Sequence, residues 1–274
     1  MIKTVALAKR FAPLPRAMAL VGETGVGKRL LARFIHSESG RTGAFVTISG
    51  GDPTGLMPQP EAFEQAQNGT VFLHDLPLWP LASQRAVLDA MEERRFARRG
   101  TERYIPLTSR LIVASQRPLD ELVDEGRLLP GLRWFIGEFV IDLPPLRGRF
   151  VDIAALSYHF LDRAREESGG AGPRLVEAEA LDRLITYRWP GNVRQLRDAL
   201  GWSYLQAAAD GIRIIDLPRA VIAHDAKPLA VDLAGRRELS RWAFERTGGS
   251  RQRAAQLLGV HPNTIDNHRR AAAQ

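Results

Sequence analysis

Short apolar runs alternate with helical periodicity through the first half of the chain. Met18-Ala19-Leu20-Val21, Ala44-Phe45-Val46-Thr47-Ile48, Thr70-Val71-Phe72-Leu73-His74, Arg110-Leu111-Ile112-Val113-Ala114 and Phe139-Val140-Ile141-Asp142-Leu143 each read as a strand. A helix is expected from about Gly27 to His36, behind a glycine-rich turn. Strands interleaved with helices are the pattern of an α/β layer built on a parallel sheet. Pro144-Pro145 closes that pattern, and residues 151–205 read as helices only, broken at 168–173 and again at Trp189-Pro190-Gly191-Asn192. Residues 224–234 read as a linker, and the chain from about Arg236 is helical again. Leu239, Trp242 and Ala243 fall on one helical face, as do Ala254, Leu257 and Leu258, and Gly259-Val260 supplies a turn before a last helix from His261 to Arg270. The expected organisation is therefore an α/β core over 1–150, a helical subdomain over 151–223, a linker over 224–234 and a small helical domain over 235–274.

Composition narrows the classes. Of 274 residues, 45% are apolar and 25% charged, which excludes wholesale disorder. There is no cysteine, so disulfide scaffolds, iron–sulfur clusters and thiolate zinc sites are excluded, and a reducing cytoplasm is the expected setting. Every apolar run is interrupted by charge or proline well short of a membrane span, and the first sixteen residues lack the pattern of a secretory signal. The formal charge is +7. Most of that surplus sits after residue 234, where eight arginines face Glu238, Glu245 and Asp266. Such a concentration of charge suits double-stranded DNA.

One motif carries specific chemistry. Gly22-Glu23-Thr24-Gly25-Val26-Gly27-Lys28-Arg29 follows a strand and opens a helix, which is the context a phosphate-binding loop demands. Its glycines let backbone N–H groups converge on phosphate oxygens, and the helix N-terminus adds its dipole. Lys28 would reach the β- and γ-phosphates of ATP or ADP. Arg29 stands where many such loops place a Ser or Thr on magnesium.

With this loop in place, the chain resembles the AAA+ domain of bacterial enhancer-binding proteins, the NtrC-like activators of sigma-N RNA polymerase. The resemblance runs from GETGVGKRLLARFIH through residues 63–73, through Leu143-Pro144-Pro145-Leu146-Arg147-Gly148-Arg149, and through residues 187–196. It ends in a Fis-type helix-turn-helix from Thr247-Gly248-Gly249-Ser250-Arg251 to Asn263-Thr264-Ile265. The resemblance implies an AAA+ parallel-sheet core, an all-α lid carrying Arg194 as the sensor II arginine, and a DNA-binding unit. There Asn263 and Thr264 would meet base edges, and Arg251, Arg253, Arg269 and Arg270 would meet phosphates. Asp266 is out of keeping with such a face, because an acid repels phosphate.

Several positions depart from the family. Its Asp-Glu at the end of the third strand reads His74-Asp75 here, leaving Asp75 as the one catalytic candidate and giving Mg²⁺ little support, since that ion prefers oxygen ligands. The sensor I asparagine falls near Ser115-Gln116, the paired arginine fingers at Leu129 and Phe135, and a further family asparagine at Ser49. Between Pro53 and Glu61 only seven residues stand where the family inserts the GAFTGA loop that grips sigma-N.

The expectation is a DNA-binding transcription regulator that binds ATP or ADP, hydrolyses it poorly and acts as a homodimer or hetero-oligomer, with RNA polymerase or a complete AAA+ activator as protein partner. An active subunit of a mixed ring and a protein-docking bundle are the competing readings. Among the remaining features, the basic run 94–100 reads as a solvated hairpin, His74 as a buried strand-end residue without metal-ligand company, and Trp189 as a packing residue at a helix start.

Overall fold

The structure is a computed structural model that describes residues 2–50, 60–97, 103–208, 210–223 and 233–270. Two compact units divide at Pro144/Pro145.

The first unit contains strands β1 (Met18–Val21), β2 (Phe45–Ser49), β3 (Thr70–His74), β4 (Arg95–Ala97), β5 (Tyr104–Pro106), β6 (Arg110–Ser115) and β7 (Val140–Asp142). Five of them form one parallel sheet in the order β2-β3-β6-β1-β7. These are the five strands expected from the sequence, two with the same ends and three with ends shifted by one residue. Successive side chains of a strand point to opposite faces, and both faces are covered. Val71, Leu73, Leu111 and Val113 pack with Phe63, Val87, Leu88 and Leu132 from helices α3 (Pro60–Gln65), α4 (Leu81–Glu93) and α6 (Pro130–Ile136). Met18, Leu20, Phe72 and Ile112 face the other way, onto Ala8, Leu31 and Ile35 of α1 (Ile2–Phe11) and α2 (Lys28–Ser37). Helix α5 (Leu119–Asp124) follows β6.

Helix α1, absent from the sequence reading, is tied down by a buried cation. The Arg110 guanidinium donates to the carbonyls of Phe11 (2.9 Å), Ala12 (2.6 Å) and Arg16 (2.9 Å). Phe11 and Ala12 lie at the helix C-terminus, where carbonyls lack intrahelical donors and a positive charge is favoured by the dipole. Burial, and then repulsion from Arg41, pulls Arg110 down to about 10. The basic run after Arg94 does open a hairpin, β4 pairing antiparallel with β5. Residues 98–102, which follow β4 in the chain, and residues 51–59 lie outside the described residues.

The second unit contains helices α7 (Phe150–Glu167), α8 (Ala178–Thr186), α9 (Asn192–Gln206) and α10 (Arg219–Ile222), followed by α11 (Leu233–Arg246), α12 (Arg251–Leu258) and α13 (Pro262–Arg270). The helical breaks fall where expected. Trp189 is fully buried and donates its ring N–H to the Leu184 carbonyl at 2.7 Å, in the packing role read from the sequence. The stretch 151–205 is not helical throughout, however, because β8 (Leu175–Val176) pairs parallel with β9 (Gly211–Ile212). Two residues are too few to leave a period-2 signature. Of the expected linker, 224–232 lie outside the described residues, while 233 and 234 already belong to α11.

The last three helices pack around Ala243, Ala254, Ala255 and Ile265, all buried. The apolar faces read from the sequence have a second use. Leu239, Trp242, Leu257 and Leu258 also join the core made by α7, α8 and α9. The Trp242 and Tyr158 rings lie 5.7 Å apart, and the Arg246 guanidinium stacks 4.2 Å over Tyr158 while pairing with Asp162 at 3.2 Å. Gly259 ends α12 at φ 64°, and a Cβ there would stand 2.8 Å from the Ala178 methyl on α8. Only glycine satisfies both that backbone and that approach.

Candidate functional site: a phosphate loop and its sheet-end acid

The loop from Gly22 to Gly27 leaves β1 at the carboxyl edge of the sheet and feeds α2, as the sequence predicts. Gly25 and Gly27 have φ of 76° and 109°, in the region that glycine alone enters cheaply. Gly22 is fixed by proximity: its N–H donates to Ser115 (3.1 Å), and a Cβ would lie 2.7 Å from the Leu143 carbonyl oxygen. Thus β1, β6 and β7 set where the loop begins. Lys28 opens α2 with its side chain buried, and its ammonium curls back over the loop onto the carbonyl oxygens of Gly22 and Glu23 (3.1 Å). Thr24 and Arg29 are exposed, and Val26 is buried in the core beside α2. A loop of positive-φ glycines, a helix N-terminus and a lysine already folded over it make up the chemistry a nucleotide polyphosphate needs.

At the same edge of the sheet β3 ends in His74, followed by Asp75. His74 is half-buried rather than buried, and its Nδ1 lies 3.2 Å from Asp75 Oδ2. The same oxygen accepts a hydrogen bond of 3.2 Å from the Gln116 side-chain amide at the end of β6. The other carboxylate oxygen, Oδ1, is buried without a partner. Asp75 itself adopts φ 52°, a left-handed conformation that Asp tolerates better than most residues. Gln116 is thus the residue the sequence reading passed over for not being an asparagine. Asp75, Ser115, Gln116, Arg117 and Arg127 line a pocket of about 190 Å³ there. Arg117 is held away in ion pairs with Glu121 (2.9 Å) and Glu125 (2.7 Å).

The residues do not suit a magnesium ion. Arg29 offers no oxygen, His74 is a nitrogen ligand, and the sheet-end carboxylate of Asp75 has one oxygen shared by His74 and Gln116 and the other buried. Among the described residues no cluster of three metal-ligating side chains occurs. Leu129 and Phe135 are half-buried and packed against the core, while Arg133 pairs with Asp120 at 2.7 Å.

Arg194 stands exposed near the start of α9 in the second unit. The chain reaches it through a tight turn in which the Asn192 side chain accepts from Leu146 N–H (2.8 Å) and Gln195 accepts from Gly191 N–H (2.9 Å). Of the residues expected at a DNA face, Arg253 and Asn263 are exposed and Thr264 is half-buried on α13. Arg251 is paired with Asp266 at 2.7 Å. Arg269 and Arg270 end α13, but their side chains lie outside the described residues. The N-termini of these helices are well finished: the Ser250 hydroxyl accepts from Arg253 N–H, and the His261 ring accepts from Asn263 N–H.

A parallel sheet with a glycine-rich loop at its carboxyl edge, followed by a helical subdomain, defines an AAA+ P-loop module. Residues 1–59 and 54–141 match the family model of the sigma-54 interaction domain, and residues 147–231 match that of the AAA+ ATPase lid domain. The chain belongs to the sigma-54 interaction domain family. It is 31% identical over 228 residues to the sigma54-dependent transcriptional activator SfnR of Pseudomonas putida, covering 76% of this chain and 62% of that protein. It is also 31% identical over 281 residues to the transcriptional regulatory protein ZraR of Klebsiella oxytoca, covering 93% of this chain and 63% of ZraR. The crystal structure of Brucella abortus NtrX in complex with ATP superposes with a TM-score of 0.72 at 25% identity, over 100% of this chain and 68% of that one. The chain therefore spans a little under two thirds of the length of these two curated relatives. No helix among the described residues is long and apolar enough to cross a membrane.

Proposed function

We propose that this protein is a cytoplasmic, DNA-binding transcription regulator whose AAA+ domain binds ATP or ADP through Gly22 to Lys28 and hydrolyses it poorly. The observation that carries this reading is the contrast between the two halves of one site. The phosphate loop has every element a polyphosphate requires, whereas the acid at the same sheet edge is a single aspartate with one oxygen engaged by His74 and Gln116 and the other buried. Water activation needs a base within reach of the water. Stabilisation of the transferring phosphoryl by an arginine finger is worth about 10³–10⁵ in rate, and the resemblance puts Leu129 and Phe135, neither of them basic, at the finger positions. One relative, SfnR, whose name records sigma-54 dependence, supports the regulator class. The family match also comes in two pieces that meet at 54–59, which supports the reading that the loop gripping sigma-N is reduced here. The chain would then act at other promoters, or modulate a complete activator by joining its ring or sharing its DNA site. For the second unit, α12, the turn at Gly259 and α13 provide a helix-turn-helix whose exposed Asn263 and nearby Thr264 would read bases, with Arg253, Arg269 and Arg270 on phosphates. Two copies would bind a two-fold site.

The test is turnover and binding measured on one preparation. ATP should bind saturably while hydrolysis stays at background, and in vitro transcription from a sigma-N promoter carrying the protein's own site should yield no ATP-dependent transcript without another activator. Turnover near 1 per second that is lost in Asp75→Asn would refute the hydrolytic part. Trp134, 83% exposed between the positions that the resemblance assigns to arginine fingers, favours one second reading, a mixed ring with an intact relative. Turnover that appears only on mixing with such a relative would select it.

A further inference from the structure

A second cavity lies in the first unit at the amino edge of the sheet, the end opposite the phosphate loop. It measures about 330 Å³ and is walled by Arg16 and Ala17, which precede β1, and by Thr108, Ser109 and Arg110 at the start of β6. Ligands of open parallel sheets sit outside the carboxyl ends of the strands, so this cavity is no part of the nucleotide site. Four arginines line it, Arg16, Arg41, Arg94 and Arg110, and no acid among the described residues does. Guanidinium groups gathered without an acid repel one another, and burial penalises them further.

The protein holds them in place with backbone oxygens. Arg110 is fixed on α1 as described, and Arg41 donates to the carbonyls of Gly69 (3.3 Å) and Thr108 (3.1 Å). Arg16 and Arg94 stand exposed at the rim. Burial lowers the affinity of Arg41 for its proton, and the Arg41 charge in turn adds to the depression of Arg110. The Ser109 hydroxyl is buried in the same wall without a hydrogen-bond partner. The rest of the lining is apolar and includes Met91, Leu107 and Phe135.

We propose that this cavity is a receptor site for a phosphorylated small molecule of mononucleotide size, with its phosphate against Arg16, Arg41 and Arg94 and its ring against Met91, Leu107 and Phe135. A phosphate dianion matches the planar forks of guanidinium groups and neutralises their unpaired charge. The volume lies at the lower end of the range for small-ligand pockets, about 300–1,000 Å³. The strands that open beside this cavity, β1 and β6, run directly to Gly22 and Gln116 at the other edge, so a ligand here would bear on the nucleotide site through two rigid elements.

AMP and inorganic pyrophosphate, titrated by calorimetry into the full chain carrying Lys28→Ala to silence the phosphate loop, test this. One saturable site per chain is expected, weakened tenfold or more by Arg16→Gln combined with Arg94→Gln and partly retained in Arg94→Lys. Pyrophosphate binding with the same sensitivity would place the affinity in the anion; AMP binding alone would give the ring a required share. If Lys28→Ala does not fold, the same titrations compare the wild-type chain with the paired arginine variant, which should lose one of two sites. No saturable binding of either probe at about 1 mM, or binding indifferent to the arginine substitutions, would overturn the proposal.

Discussion

Arg251 at the start of α12 and Asp266 in the middle of α13 form an ion pair of 2.7 Å, so the one acid on the candidate recognition helix is already answered from within the protein. Both groups are partly exposed, and such a pair contributes at most about 1 kcal/mol to stability. Its larger effect is on charge: it withholds Arg251 from phosphate and cancels one of the arginines counted toward the basic surface. Asp266→Asn should therefore raise affinity for DNA about threefold to tenfold and steepen its salt dependence by about one ion. Fluorescence anisotropy across a salt series measures this. An unchanged slope would place Arg251 and Asp266 away from the DNA.

Lys28→Ala should weaken ATP binding tenfold or more, about 1.4 kcal/mol. The ammonium now rests on the loop carbonyls of Gly22 and Glu23, so it is positioned before ligand arrives and pays little ordering entropy on binding. Calorimetry of the two proteins should separate them, and equal affinities would remove the phosphate loop from the nucleotide site.

Gly259→Val should loosen the C-terminal helices from the lid. The new Cβ would meet the Ala178 methyl at 2.8 Å, and a β-branched residue is strained at φ 64°. A loss of about 2–3 kcal/mol is expected. Hydrogen exchange should rise in α11 and α12 while β1 and β6 keep their protection. Trp242→Ala, which removes the ring packed on Tyr158, should give the same pattern more mildly.

Stability should fall as pH drops through the ordinary histidine range. Burial, and then the Arg41 charge, hold His36 below its usual value of 6.5, and its Nδ1 lies 2.9 Å from the Thr70 hydroxyl. Between the lowered folded value and 6.5 the unfolded chain binds the proton and the folded chain does not, so acidification favours unfolding. His268 is lowered as well, first by burial and then by Arg237 and Arg236, and acts in the same sense. Urea midpoints measured from pH 7.5 to 5 should decline, and His36→Gln should flatten the decline by its share.

The parallel sheet and the phosphate loop were legible because each depends on local pattern. Strands covered on both faces read as unbroken apolar runs, and the loop's glycines are dictated by its own backbone. What escaped was set by distant partners. Helix α1 is short, and its C-terminal end is pinned by Arg110, about a hundred residues away, so its own stretch announces little. The Gln116 contact with Asp75 joins the ends of two strands, and no spacing in the chain predicts that an amide will reach an acid there. Strands β8 and β9 are too brief to show alternation. The apolar stripe holding Leu239 and Trp242 was visible, but periodicity tells which face is buried and not which surface covers it.

That covering surface makes α11 a lever. A helix of 14 residues is a rod about 21 Å long, and a turn of about 10° about one end carries the other through some 3.5 Å, close to the rise of one base pair. With Trp242 and Arg246 seated on Tyr158, little slack remains to absorb such a turn before it reaches α13. If the last three helices hold DNA as proposed, a turn of that size within the second unit would shift the reading register of the duplex by a whole step, a change of phase rather than of affinity.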